Sequence, residues 1–165
     1  GLRDKALKAI DNTDFYPSKG KERIKSMIET RPDWCVSRQR VWGVPLPIFI
    51  SKKTGEVLVD DEVFENIAKI YEKEGSDCWF NEDYQIFLGD KYKAEDYEKL
   101  SDIVEVWFDS GSTHSFVLEK RDDLKWPASM YLEGSDQHRG WFHSSLLESC
   151  GTRGVAPFEL SLIHI

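Results

Sequence analysis

The string Glu133-Gly134-Ser135-Asp136-Gln137-His138-Arg139-Gly140-Trp141 is the densest collection of usable chemistry in this chain. Glu133 and Asp136 supply carboxylates that can accept hydrogen bonds from sugar hydroxyls or amino groups, and Gln137 can both donate and accept. Gly134 lets a flat ring or a backbone come close, and Trp107 and Trp141 offer large apolar walls. A set of this kind suits the binding of a polar, ring-bearing ligand rather than covalent catalysis. The same residues are equally compatible with a helix cap formed by Glu133 and Asp136 and with tryptophans that belong to the core.

Other constellations are weaker. Histidines at 114, 138, 143 and 164 invite a search for a triad, but no Gly-x-Ser-x-Gly elbow accompanies them. His138 and His143 are five apart, which is not the one-face spacing of a helical metal pair. There is no Walker loop and no Gly-x-Gly-x-x-Gly. Arg38 and Arg40 alternate along an extended segment, so they would point the same way. They could grip phosphate or pair with an acidic neighbour, and the pattern leaves both open. Cys35, Cys78 and Cys150 are odd in number and widely spaced, which fits reduced thiols and no metal site.

These residues must be held by elements of recognisable period. Leu2, Ala6, Leu7 and Ile10 give a helix over 1–10 that appears without a capping residue, as if the chain began inside an element. Residues 11–20, with Pro17 and Gly20, read as an irregular link, and 21–29 as a second helix that Arg31-Pro32 ends. The β-branched and aromatic stretch 33–50 reads as extended, and 51–56 as a hairpin tip with Gly55 at the turn. Residues 61–74 form an acidic amphipathic helix with Val63, Phe64, Ile67, Ile70 and Tyr71 inward, stopping at Gly75. Val104–Phe108 is a strand candidate that runs into the polar loop 109–113. Met130–Gly134 is another, with Ser135 and Asp136 capping a helix from about Gln137 to Cys150. Strand, polar turn and helix make the βα unit of a parallel sheet, in which ligands bind at the carboxyl ends of strands.

At 165 residues, with 40% apolar and 32% charged residues, the chain can bury a core and is neither disordered nor fibrous. No run is long and apolar enough for a membrane span, and the opening residues are not a signal peptide, so a cytoplasmic location is expected. The net charge of −8 argues against a surface given wholly to nucleic acid. It is unevenly spread: residues 1–40 carry ten Lys/Arg against six Asp/Glu, whereas 55–105 carry five against sixteen. Only the basic lead-in has the sign to meet a phosphate backbone.

Three long strings then stand in order: Arg31-Pro32-Asp33-Trp34-Cys35-Val36-Ser37-Arg38-Gln39-Arg40-Val41-Trp42-Gly43-Val44-Pro45-Leu46-Pro47, Val106 to His114 (Val-Trp-Phe-Asp-Ser-Gly-Ser-Thr-His), and Tyr131 to Phe142. Together they closely resemble the isoleucyl-tRNA synthetase family of class I enzymes, over nearly the whole chain. Leucyl- and valyl-tRNA synthetases share the architecture, but the last two strings look like the isoleucyl family. By that resemblance Glu133, Gly134 and Asp136 bind the adenosine part of ATP or isoleucyl-adenylate, and Gln137 holds the isoleucine carboxyl or carbonyl. Trp107 and Trp141 wall the isoleucine pocket, His164 lies near the nucleotide, and Arg38 and Arg40 are possible tRNA contacts. Around His164 the pattern departs, with Ile163 and Ile165 where the family has threonine and glycine.

The resemblance implies an α/β fold: part of a Rossmann-like parallel-sheet catalytic domain, its second half, with a small α+β insert and a helical or extended lead-in from an editing domain. Residues 1–42 would be the return segment from the editing domain, 43–103 a small acidic connective insert, and 104–165 part of the Rossmann-like domain. The family's His-Ile-Gly-His and Lys-Met-Ser-Lys-Ser motifs are not in this sequence, which marks an internal fragment without catalytic residues and inactive alone. The implied activity of the intact enzyme is ATP-dependent activation of L-isoleucine and transfer to tRNA(Ile), with editing of mischarged valine. ATP is then a substrate, with Mg2+ in the intact enzyme, and the full-length protein is expected to be a monomer off the membrane. The alternatives are a valyl or leucyl relative and a non-catalytic tRNA-binding module built on the basic lead-in.

Overall fold

The computed structural model describes residues 1–81 and 83–164; of His164 it describes the backbone and not the side chain. Contacts divide these residues into two compact units, one made of 1–35 and 106–165, the other of 36–105.

In the first unit, apolar residues at helical spacing set the packing. Helix α1 (Leu2–Asp11) buries Ala6, Ala9 and Ile10, and helix α2 (Lys19–Glu29) buries Gly20, Ile24 and Ile28. Between them residues Asp14–Tyr16 form strand β1, inside the stretch expected to be irregular. Its three residues alternate exposed, buried, exposed, and its partner lies at the far end of the chain, so no local signal marks it. Strand β6 (Tyr131–Gly134), strand β7 (Leu160–His164) and β1 form a three-stranded parallel sheet in the order β1-β7-β6. Helix α6 (Trp141–Thr152) lies in the same core, where Phe142, Leu146 and Cys150 meet Ile10, Phe15, Ile24, Tyr131 and Phe158.

One strand candidate is overturned. Residues Val106–Gly111 are helix α5, not a strand running into a loop. The β-favouring Val-Glu-Val-Trp-Phe is outvoted by docking, as tertiary packing commonly outweighs β-propensity. A side-chain carbon on Gly111 would stand 2.8 Å from Ser144 Oγ and against Glu148, so the bare glycine lets α5 sit tight on α6. A π-helical turn, His114–Leu118, follows and buries His114.

The second unit is built on short antiparallel pairs. Strand β2 (Ser37–Arg38) pairs with β5 (Ile103–Val104), and β3 (Phe49–Ser51) with β4 (Tyr97–Lys99). Residues 36–42 therefore pack with this unit, through β2, rather than with α1 and α2. Helix α3 (Asp61–Glu74) has the expected bounds: Asp60 caps it by accepting the Glu62 amide at 3.0 Å, and Gly75, at φ 81°, ends it. Val63 and Ile67 are buried and Ile70 and Tyr71 pack beside them, but Phe64 is 39% exposed and faces solvent. The core adds Phe49, Cys78, Trp79 and, from the short helix α4 (Gln85–Leu88), Phe87 and Leu88. The turn after β3 is closed by Ser51 N–H donating to Glu56 O at 2.9 Å, with Gly55 at φ 72°. Among the described residues no helix is long and apolar enough to cross a membrane.

Candidate functional site

The site begins where β6 ends. Tyr131 points into the core, its hydroxyl 3.1 Å from Ser145 Oγ, and Leu132 turns to the opposite face; Glu133 returns to Tyr131's face but, near the end of the strand, is exposed. Gly134 follows opposite His164 of β7. A side-chain carbon on Gly134 would stand 2.6 Å from Asp136 Oδ1, so with any other residue here the exposed Asp136 carboxylate would have to swing away from the strand end.

Residues Ser135–His138 make one 3-10 turn, and α6 starts only at Trp141, after Gly140. This corrects the expectation of a single helix from Gln137 capped by Ser135 and Asp136. Ser135 and Asp136 cap neither element; Gln137 instead reaches the start of α6, its Oε1 accepting the Trp141 amide at 3.4 Å, while its Nε2 donates to the exposed carboxylate of Asp136 at 3.0 Å. The backbone of the turn closes on itself, with Arg139 N–H donating to Asp136 O and Gly140 N–H to Gln137 O.

His138 anchors this turn, a role that spacing alone did not reveal. Its ring is fully buried, with Nε2 3.0 Å from Ser161 Oγ of β7, Phe15 edge-on and Phe142 beside it. Burial, with a smaller push from Arg23, lowers its pKa to about 4, so the imidazole is neutral at ordinary pH. The floor beneath it is Gly20 of α2, where a side-chain carbon would stand 2.9 Å from His138 Cε1 and 3.0 Å from Ile163 Cδ1. Four elements thus fix the turn from below, and its polar side chains are presented outward.

The two tryptophans reach this place from different helices. Trp107 lies in the first turn of α5, not at a strand end, and its Cζ3 is 3.3 Å from where a side-chain carbon on Gly140 would sit. Trp141 opens α6 and packs on Tyr131 at 4.5 Å between ring centroids. Trp107 is 46% exposed and Trp141 half-buried, so each keeps apolar area for a further partner. The structure therefore gathers Glu133, Gly134, Asp136, Gln137, Trp107 and Trp141 around the 131–141 segment. The side chain of His164 lies outside the described residues. Arg38 and Arg40 belong to the other unit. Strand β2 ends at Arg38, whose guanidinium donates to Ser37 O at 2.8 Å, so no pleat carries the exposed Arg40 to the same side. Among the described residues no group of three or more His, Cys, Asp or Glu side chains is placed to hold a metal ion.

The arrangement can bind; the Ser161–His138 hydroxyl–imidazole pair lies fully buried beneath the turn, out of reach of a ligand on its outer side. The site combines outward carboxylates and an amide at the carboxyl end of a parallel strand, a glycine floor, and two aromatic walls, which suits a ligand with a polar ring system and an apolar tail.

A family model described as tRNA synthetases class I (I, L, M and V) matches residues 1–165. Isoleucine–tRNA ligase of Pelagibacter ubique (strain HTCC1062) is 82% identical over 164 residues, covering 99% of this chain and 18% of that protein. The isoleucine–tRNA ligases of Zymomonas mobilis subsp. mobilis and Caldicellulosiruptor bescii are 58% and 53% identical, each over 99% of this chain and 17% and 18% of their own length. The chain spans less than a fifth of the length of these curated relatives.

Proposed function

The chain belongs to the family of class I tRNA synthetases (I, L, M and V), and from that membership we propose that it is an internal segment of an isoleucine–tRNA ligase that forms one wall of its aminoacyl-adenylate site. The observation that supports this reading is the approach of the Trp107 ring to Gly140, the residue before Trp141, in the segment that also carries the exposed carboxylates of Glu133 and Asp136.

In this reading the three parallel strands are the second half of a Rossmann-like sheet, residues 1–42 return from an editing domain, and 43–103 form a connective insert. Glu133, Gly134 and Asp136 receive the adenosine of ATP or of isoleucyl-adenylate, through hydroxyl and amino groups. Gln137 holds the isoleucine carboxyl, Trp107 and Trp141 enclose its side chain, and His164 stands near the nucleotide. The isoleucine carboxylate attacks the α-phosphate of ATP, the bond to pyrophosphate breaks, and the acyl group passes to the terminal ribose of tRNA(Ile), with Arg38 and Arg40 as candidate tRNA contacts. Neither step needs a covalent enzyme intermediate, so the contribution of these residues is positioning. Magnesium that accompanies ATP is assigned to no residue of this chain. An apolar pocket distinguishes one methylene by only about 1–3 kcal/mol, and isoleucine against valine is the standing example, which accounts for editing in the intact enzyme.

The test is Trp141→Ala in the full-length protein that carries this sequence, read by isoleucine-dependent pyrophosphate exchange. The KM for isoleucine should rise roughly 30-fold or more, as expected for loss of about 2 kcal/mol or more of apolar contact, while the KM for ATP changes little. Equal effects on both would make Trp141 a core residue and sink the reading.

A further inference from the structure

We propose, on the reading of the 131–141 segment as one wall of an aminoacyl-adenylate site, that His138 and Ser161 are positioning residues for the amino-acid half of that site. Their hydrogen bond fixes where Gln137 stands, and so where the isoleucine carboxyl is held, while the adenosine contacts of Glu133 and Gly134 are held by the sheet.

The division follows from how each residue is supported. Glu133 and Gly134 belong to β6 and are in register with Ile163 and His164 of β7, so backbone pairing places them. Gln137 has no such support. It lies in the Ser135–His138 turn, whose own backbone bonds, Arg139 N–H to Asp136 O at 2.9 Å and Gly140 N–H to Gln137 O at 3.1 Å, set the shape of the turn but not its place on the sheet. The Gln137 side chain also bonds only within the segment, to the Trp141 amide and the Asp136 carboxylate. Of the side chains from Ser135 to Arg139 only that of His138 is buried, so it is the one that ties the turn down.

The anchor sits in the middle of the sheet. Ser161 belongs to the central strand, in register with Phe15 of β1 on one side and Tyr131 of β6 on the other, and is fully buried. The bond also has a direction. His138 Nδ1 is buried without a partner, and an unpaired buried acceptor is better tolerated than an unpaired buried N–H, so the neutral ring carries its proton on Nε2 and donates to Ser161 Oγ at 3.0 Å. Phe15, Phe142 and Gly20 confine the ring by shape, and the hydrogen bond sets its rotation. A glutamine at 138 can bring an amide nitrogen to the same oxygen, whereas a phenylalanine fills the space without the bond.

The test uses the full-length protein that carries this sequence, with isoleucine-dependent pyrophosphate exchange measured as each substrate is varied in turn. Ser161→Ala, which removes a single oxygen, should raise the KM for isoleucine about ten-fold, as for one lost buried hydrogen bond, and the KM for ATP by much less, since of the adenosine contacts only Asp136 shares the turn. His138→Phe should have an effect of the same size, and the two changes together no more than either alone, because both break one bond. His138→Gln should stay close to the parent. In Ser161→Ala, hydrogen exchange at the Arg139 and Gly140 amides should quicken while the β6–β7 ladder keeps its protection. An equal rise in both KM values, additive effects, or unchanged KM and exchange in Ser161→Ala overturns the proposal, and Ser161→Ala decides alone where His138→Phe does not fold. Trp141→Ala is run beside them. If it separates isoleucine from ATP and Ser161→Ala does not, the positioning role falls and the adenylate-site reading stands; if Trp141→Ala moves both KM values equally, the reading falls and the positioning role with it.

Discussion

The two units treat their buried polar groups in opposite ways. In 36–105 they are turned inward on the fold itself. Trp79 Nε1 donates to Leu100 O at 2.8 Å, Asn66 Nδ2 reaches the carbonyls of Ile86 and Phe87, and Lys99 donates to the carbonyls of Trp79 and Asn81 while lying over the Trp79 and Tyr84 rings. Only the Tyr71 hydroxyl is buried without a partner among the described residues of that unit. In 1–35 with 106–165, by contrast, His114, His138, His143, Trp126 and Glu148 each bury at least one polar atom that has no hydrogen-bond partner. A buried group left without a partner costs about 1–3 kcal/mol, so these positions call for a buried water or a further contact that the second unit does not need. The acidic unit satisfies nearly all its buried side chains internally; the parallel-sheet unit leaves several open.

The sharpest way to break this contrast is Trp79→Ala. Trp79 is fully buried, touches Phe49, Tyr71 and Phe87 ring to ring, and its loss also strands the Leu100 carbonyl. It should cost about 3–5 kcal/mol, the range for removing a large aromatic from a core. In the full-length protein, hydrogen exchange should accelerate across 36–105 while the amides of α6 keep their protection. If exchange accelerates equally in both, the two units are one cooperative block and the contrast fails.

The next test uses pH, because the units should fail in different directions. Glu148 is held up to about 8 chiefly by burial, against a carboxyl value of 4.5, so its folded form binds the proton more tightly than the unfolded chain does. Glu148 alone therefore takes stability away as pH rises from about 4.5 through 8, by an amount of the order of a few kcal/mol, so the first unit should weaken from about pH 6.5 through 8, and Glu148→Gln should flatten that loss. Below pH 6.5 the sign reverses there, since His138 and His143, each held near 4 by burial, must charge as the unit unfolds. In the second unit Asp60 is lowered to about 2 by hydrogen bonds from Lys91 and Tyr92, so its contribution is complete above 3.8 and is lost as pH falls through 2. Unfolding of the full-length protein followed at pH 6 and pH 9 by exchange in each unit checks this; an alkaline loss in Glu148→Gln as large as in the parent would remove Glu148 as the cause.

What could be read from the residues alone follows the same division between local and distant causes. Helix α3 is legible to its ends because its cap, Asp60, and its stop, Gly75, are neighbours in sequence. Strand β1 is not, because three residues beside a proline carry no pattern until β7 pairs with them. Helix α5 is misread because Val-Glu-Val-Trp-Phe favours a strand and only the approach of α6 onto Gly111 makes it a helix. The polar string from Glu133 to Trp141 stands out in the sequence, yet what makes it a presented turn is the contact of His138 with Ser161 and Gly20, two positions that no spacing rule connects to it. The family is legible through the strings, and the geometry only through the fold.

The smallest expected effect is also the one that most finely probes how far the second unit is complete by itself. Phe64 sits on α3 where helical periodicity puts it on the apolar side, one residue from Val63 and three from Ile67, yet the ring is 39% exposed. An apolar stripe on a helix is wider than the contact that covers it when the packed partner is narrow, and here Trp79 and Phe87 fill the groove over Ile67 and Tyr71. Phe64→Ser should consequently shift the stability of 36–105 by no more than about 1 kcal/mol, part of it the lower helix propensity of serine and part the remaining half-contact of the ring. If calorimetry or exchange instead shows a loss approaching that of Trp79→Ala, then Phe64 is covered in the full-length protein, and the insert docks through this face and is no more complete by itself than the parallel-sheet unit.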